Sequence, residues 1–267
     1  MQALQALHDA LRAYPSMLVG YSGGVDSTLL AVVARRTLGR ERVLAAIGRS
    51  ASYPEDQWEA ACELAHRFDV ALVEIATHEL DDPNYLANPT NRCFFCKAEL
   101  WNRLCGLAAE RGLAVVCDGT NADDLSEHRP GLAAGKRAGV RSPLAEAGLT
   151  KADVRAAAEV LAIPNWDAPA SPCLSSRVQY GIPITSRRLQ QVEQGEALLR
   201  RLGAKGNLRV RHRGETACIE VDAEWILWVE ARRGVIDDGL RALGFERVDV
   251  DPRGYRRGSL ILDHRQA

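Results

Sequence analysis

What this 267-residue sequence lacks narrows it first. There is no apolar run of about 18 residues, which excludes a membrane-spanning helix. The N-terminal segment MQALQALHDALRAYP places Asp9 and Arg12 in an amphipathic pattern and lacks the apolar stretch of a secretion signal, so a cytoplasmic location is expected. Neither sign of charge dominates: 34 Lys and Arg stand against 35 Asp and Glu, a formal net charge of −1. Binding to a nucleic-acid backbone needs a concentrated basic face, so nucleic acid is not an expected partner. No internal repeat or low-complexity segment is visible. The seven cysteines are an odd number, spread along a chain long enough to bury a sizeable core. A disulfide framework is therefore not expected, and the cysteines read as reduced core residues, metal ligands or nucleophiles.

What is present has the composition of an ordinary globular protein, 46% apolar and 26% charged. The length fits one large domain or two modest ones. The segments 17–21, 43–48, 71–76 and 113–119 are short, apolar on both faces and bounded by turn signals, and helical patterns such as 27–39 and 54–69 separate them. That alternation predicts an α/β fold with a parallel sheet flanked by helices. Ligands of such sheets lie beyond the carboxyl ends of the strands, which singles out the loops at 22–27, 77–92 and 118–130. Thr150 and Asp153 form a capping-box pattern opening a helix over 151–162. The proline-rich stretch 163–177 reads as an irregular loop. A helix over 186–203, a pair of strands around Gly214 within 208–222, helices near 223–233 and 235–243, and strands over 245–251 and 259–263 predict a second, smaller α+β domain. The boundary is placed at 178, with domains 1–178 and 179–267.

Ser22-Gly23-Gly24-Val25-Asp26-Ser27 follows the first strand and opens a helix. Two glycines permit tight turning, and successive N–H groups at a helix N-terminus make an anion site. No lysine follows them, so this is not the phosphate loop of ordinary nucleotide triphosphatases. The hexapeptide resembles the PP-loop of ATP pyrophosphatases. That resemblance implies cleavage of ATP between its α- and β-phosphates, with Ser22 to Ser27 holding pyrophosphate. It also implies Mg²⁺, for which Asp26 is the natural carboxylate.

Cys93 and Cys96 form a C-x-x-C, and Cys173 lies in the loop SPCLSSR. Cys62, Cys105, Cys117 and Cys218 fall in apolar patterns and read as packing residues. A structural zinc site would want four ligands, and no second C-x-x-C or paired histidine is present. Three loop cysteines suit a [4Fe–4S] cluster with one iron free of protein thiolate. Asp118, Gly119, Thr120 and Asn121 follow the fourth strand, where a nucleotide would lie, and Asp123, Glu127 and Arg129 follow them as candidates to orient a substrate. Trp101 reads as core rather than a stacking platform. Arg209 and Arg211 share one strand face, with His212 opposite, and two guanidiniums suit a ligand phosphate. Arg177 and Ser176 beside Cys173, and Glu193 and Glu196 on the preceding helix pattern, are further candidates.

In order along the chain, SGGVDS, NRCFFCK, DGTNADD, RPGLAA, RSPL and SPCLSSR resemble the LarE family, and the resemblance spans nearly the whole sequence. It implies an ATP-dependent, AMP- and pyrophosphate-forming sulfur transferase in nickel-pincer nucleotide biosynthesis for lactate racemase. The implied substrate is pyridinium-3,5-biscarboxylic acid mononucleotide, whose carboxylates become thiocarboxylates. Cys173 matches the cysteine that some members sacrifice; Cys93 and Cys96 resemble the additional pair of members that use a cluster to deliver sulfide. Asp118 to Asn121 would contact adenosine, and Arg177, Arg209, Arg211 and Glu220 the substrate. A homo-oligomer and a sulfide or sulfur-donor protein are expected partners. A PP-loop tRNA thiolase with the same cysteine trio is the alternative, an amidating ligase or a nucleotide-sensing module the more distant ones.

Overall fold

The computed structural model describes residues 2–126, 130–169, 171–256 and 258–260. In chain order its first elements are α1 (Gln2–Arg12), β1 (Met17–Tyr21), α2 (Val25–Leu38), β2 (Val43–Arg49), α3 (Glu55–Arg67), β3 (Leu72–Ala76), the single turn α4 (Pro83–Leu86), α5 (Arg92–Glu110) and β4 (Val115–Cys117). There follow α6 (Pro130–Arg137), α7 (Pro143–Glu146), α8 (Lys151–Val160), α9 (Ser186–Arg201), β5 (Leu208–Arg213), β6 (Thr216–Val221), α10 (Ile226–Glu230), α11 (Arg233–Ala242) and β7 (Arg247–Val250). Two compact units result: residues up to Glu79 with Cys93–Ser171, and Leu80–Arg92 with the chain from Pro172 onward.

In the first unit the four strands run parallel in the order β3-β2-β1-β4. β1 is apolar throughout because both its faces are covered. Met17, Val19 and Tyr21 join a core with α1, α2 and α8, while Leu18 joins a second core with Trp101 and Leu104 of α5. Trp101 is only 3% exposed, and a Cβ on Gly20 would lie 2.7 Å from its ring, so Trp101 is a core residue. The Thr150–Asp153 capping box forms as read from the sequence and starts α8 at Lys151. β4 lies on the opposite side of β1 from β2, so the loops after β1 and β4 flank the switch in strand order, where open parallel sheets bind ligands.

In the second unit β5 and β6 form an antiparallel hairpin around Gly214, and β7 pairs parallel to β6 after the α10–α11 crossover. Leu208, Val210, Ala217, Ile219 and Val248 make the apolar face, packed with Leu199 of α9 and Leu240 of α11. The unit begins at 172 and takes in 80–92, whereas the sequence divides the domains at 178. The reason is local: Tyr85 hydrogen-bonds to Ser175, and the Asn88 amide donates to the carbonyls of Val178, Gln179 and Ile182. The strand expected over 259–263 is not formed at its first two residues: Ser259 and Leu260 are helical, and Ser259 donates its N–H to Arg256. Residues 261–263 lie outside the described residues.

His212 falls on the apolar face, 2% exposed, with Nε2 3.1 Å from the Gln191 carbonyl oxygen and a ring against Phe245. Burial pushes its pKa down to about 4, and Arg188 adds to the depression. The unfolded chain therefore takes up this proton first. The stabilisation is complete above the model-peptide value of 6.5 and is lost as pH falls from there toward 4. His212→Gln should remove about 3 kcal/mol of acid destabilisation across that window, read from chemical denaturation at pH 7.5 and 4.5. Equal pH slopes for the two proteins would refute it.

Candidate functional site

The loop after β1 is locked by its own hydroxyls. Ser27 Oγ donates to the Gly24 carbonyl at 3.1 Å and accepts the Ser22 N–H at 3.2 Å. Gly23 has φ +65°, and a Cβ there would meet that of Ala61 at 2.5 Å, so only glycine fits. Gly24, the N-cap of α2, offers no side chain to the first-turn N–H groups, which leaves a helix N-terminus built for an anion. The loop carbonyls are tied down instead: Tyr53 donates to that of Ser22 at 2.9 Å and the Asn165 amide to that of Gly23 at 2.7 Å. Burial raises the Tyr53 pKa, keeping that donor protonated.

After β4, Gly119 packs directly on this loop; a Cβ there would stand 2.8 Å from the Ser27 nitrogen. Asp118 Oδ1 accepts from the Thr120 N–H and the Ser142 hydroxyl, at 3.0 and 2.8 Å. Asn121, 3% exposed, accepts the N–H groups of Asp123 and Asp124 and donates to Asp26 Oδ1 at 3.1 Å. The other Asp26 oxygen receives the Lys151 ammonium. The loop and residues 118–121 are thus brought together as the sequence indicates. Glu127 and Arg129 lie outside the described residues, and Asp123 accepts the Lys151 N–H at 2.8 Å.

Lys151, Tyr53 and Asn165 escaped the sequence reading. For Lys151 a signal existed: a cation in the first turn opposes the helix dipole and calls for another reason to be there. Its ammonium reaches the loop through its ion pair with Asp26.

The second unit holds the other cluster. Cys173, half-buried, caps a short turn over Leu174–Arg177. Arg177 is 1% exposed and donates Nη1 to the Pro172 and Cys173 carbonyls, with Nε and Nη2 on the two Glu196 oxygens at 3.0 and 3.2 Å. Arg211 pairs with fully buried Glu220 at 2.8 Å and donates to the Ser176 carbonyl and the Ser259 hydroxyl. Arg209 differs. It is 8% exposed, donates to its neighbour's carbonyl, and lies over the Tyr255 ring. Burial, then the nearby Arg177, lowers its pKa. Glu196 and Glu220 thus pair with Arg177 and Arg211, and Arg209 has no carboxylate hydrogen-bonded to it among the described residues.

Cys93, exposed, and Cys96, half-buried, lie three residues apart in the first turn of α5 and share a helix face. Cys117 and Cys218 are buried, and burial raises their thiol pKa, that of Cys218 to about 11. Burial also raises those of half-buried Cys62 and Cys105. None of these four has the character of a nucleophile. Among the described residues no three of His, Cys, Asp or Glu gather as a metal-holding group.

A parallel sheet whose first strand leads through a lysine-free SGGVDS loop into a helix defines the PP-loop class, and residues 4–85 match the NAD synthase family. Over 251 residues the chain is 34% identical to the pyridinium-3,5-bisthiocarboxylic acid mononucleotide synthase of Lactiplantibacillus plantarum, covering 94% of this chain and 91% of that one. It is 43% identical over 245 residues to an uncharacterised Synechocystis protein, covering 91% of each, and 28% identical over 240 residues to one from Methanocaldococcus jannaschii, covering 90% of each. The chain belongs to the LarE family and is an ATP-utilising enzyme.

Proposed function

We propose that this enzyme uses ATP to adenylate a carboxylate of pyridinium-3,5-biscarboxylic acid mononucleotide and replaces the activated oxygen with sulfur, once for each carboxylate. The observation that carries the reading is the hydroxyl-locked SGGVDS loop after β1, opening α2 with bare N–H groups, in a chain 34% identical over most of its length to a pyridinium-3,5-bisthiocarboxylic acid mononucleotide synthase. A substrate carboxylate oxygen attacks the α-phosphorus and pyrophosphate leaves. The N–H groups of Gly23 to Ser27 and the Lys151 ammonium receive the charge that builds on the leaving group. Asp118 to Asn121 meet the adenosine half, and Arg209 takes the phosphate of the pyridinium nucleotide.

Mg²⁺ held chiefly by phosphates and water needs only one or two protein carboxylates, so Asp26 fits as its ligand; the ion would neutralise pyrophosphate. Cys93 and Cys96 share a face and fit two thiolate positions of a [4Fe–4S] cluster, and Cys173 is the third candidate. A cluster would supply sulfide without consuming the protein. Without one, the Cys173 thiolate attacks the acyl carbon and AMP leaves. Loss of the Cys173 α-proton then breaks its Cβ–S bond, giving the thiocarboxylate and dehydroalanine.

The deciding measurement is iron and acid-labile sulfide in anaerobically purified protein, beside Cys93→Ala, Cys96→Ala and Cys173→Ala. About four of each per chain, lost in every variant, is the result expected of the cluster. No iron after reconstitution, with Cys173 lighter by one H₂S after turnover, leaves the sacrificial route. Absence of ATP- and substrate-dependent pyrophosphate would sink the whole reading.

A further inference from the structure

Glu196 receives more than an ion pair. Besides both nitrogens of Arg177, its Oε1 accepts the backbone N–H of Val210 at 3.2 Å, in the strand between Arg209 and Arg211. Arg177 in turn holds two consecutive carbonyls, those of Pro172 and Cys173. One carboxylate therefore joins, through a single guanidinium, the backbone at Cys173 to the strand that carries the two arginines. Arg177 stands on the turn Leu174–Arg177 and Glu196 on α9, and their pair adds to the direct ties between that turn and β5, the Arg211 bond to the Ser176 carbonyl and the bridge of Val178 to His212.

Alternative duties for the pair are poorly served by its surroundings. The Arg177 side chain is 2% exposed and that of Glu196 18%, so the guanidinium has no surface to offer a ligand. A structural tie alone would not need a buried charge, since a well-packed apolar pair commonly does as well or better. What the charged pair adds is direction. A planar fork with five N–H groups fixes carbonyls and carboxylate in one geometry, which neither lysine nor an apolar side chain can reproduce. The same loop is tied further by Ser176 Oγ, which donates to the Cys173 carbonyl at 2.7 Å, by Arg211 on the Ser176 carbonyl and by the Ser175 hydroxyl on Tyr85.

We propose that Arg177 and Glu196 are positioning residues: they hold the Cys173 backbone at a fixed distance from the anion-binding face of β5, so that the sulfur meets the carbon of a substrate anchored by its phosphate. The proposal rests on Cys173 being the residue through which sulfur passes. Displacements near 1 Å at a reacting group cost on the order of a hundredfold in rate, and that is the loss expected here.

The test uses the full chain with Arg177→Lys, Glu196→Ala and Glu196→Gln. Two readouts are taken: single-turnover thiocarboxylate formation, and the rate of Cys173 alkylation by iodoacetamide, with modified peptides resolved by mass. Substrate-dependent pyrophosphate release serves as the control for folding and for the first half-reaction. Arg177→Lys and Glu196→Ala should lose sulfur transfer on the order of a hundredfold and alkylate Cys173 several-fold faster as its loop loosens, and Glu196→Ala should keep pyrophosphate release within about twofold. Glu196→Gln, which keeps one oxygen to accept from Val210 and Arg177 Nε but loses the acceptor for Nη2, should recover part of both. Wild-type alkylation and transfer rates in Arg177→Lys and Glu196→Ala would overturn the proposal. So would loss of pyrophosphate release in step with transfer in Glu196→Ala, which marks general damage to the fold. If Cys173→Ala still transferred sulfur, the failure would lie with the role of Cys173 itself, while the alkylation rates would still report whether the clamp holds the loop.

Discussion

Cys173→Ala should release pyrophosphate from ATP at the wild-type rate in the presence of pyridinium-3,5-biscarboxylic acid mononucleotide and form no thiocarboxylate. The two halves of the reaction draw on separate residues. The anion loop, Asp118, Asn121 and Lys151 make a self-contained set of hydrogen bonds in the first unit. Cys173 contributes to its own unit through backbone atoms, its carbonyl accepting from Ser176 and Arg177, and alanine supplies that carbonyl equally well. Removing the sulfur therefore subtracts chemistry and little structure. Trapping of acyl adenylate with hydroxylamine gives the positive readout, and thiocarboxylate at the wild-type rate would remove Cys173 from the mechanism.

The second large effect is expected where no functional group is touched. Gly119→Ala places a methyl 2.8 Å from the Ser27 nitrogen and 3.1 Å from the Asp26 carbonyl carbon, both backbone atoms at the start of α2. A flexible side chain could swing away, but the loop must move as a body, and its position is what aligns the N–H groups. Forcing atoms into a packed site costs typically 1–3 kcal/mol, and here the strain falls on the anion cradle. Pyrophosphate release should drop on the order of a hundredfold. Cys173 alkylation, read in the other unit, should stay at the wild-type rate. Undiminished pyrophosphate release would show that the approach of β4 to the loop is not tight in solution.

Much of this was legible in the residues. MLVGY could only be a strand covered on both faces, and Thr150 with Asp153 could only start a helix, because those signals are local. SGGVDS announced an anion loop for the same reason. Charge partners were not legible, since they depend on packing between distant segments. Arg177, Arg209 and Arg211 look alike in the sequence. In the structure Glu196 and Glu220 occupy the first and third, and of the three only Arg209 has no carboxylate hydrogen-bonded to it among the described residues. The misfit of Lys151 with its helix dipole was visible, but its partner was not, because Asp26 lies 125 residues earlier. The boundary at 178 missed the segment 80–92 because Tyr85 and Asn88 carry no composition signal. Hydrogen bonds to residues 175–184, of Leu86 as well as of these two, tie the segment to the second unit.

That excursion of the chain constrains how the protein can be made. Leu80–Arg92 leaves the ribosome long before the residues at 175–182 that complete its hydrogen bonds, and through that interval Asn88 has none of its three carbonyl acceptors. All of the first unit has been made once Ser171 emerges, whereas a segment of the second waits inside that stretch for partners made later. A fragment cut at the start of the 172 segment would lack a stretch of its own interior, so the second unit has no contiguous gene segment that encodes it.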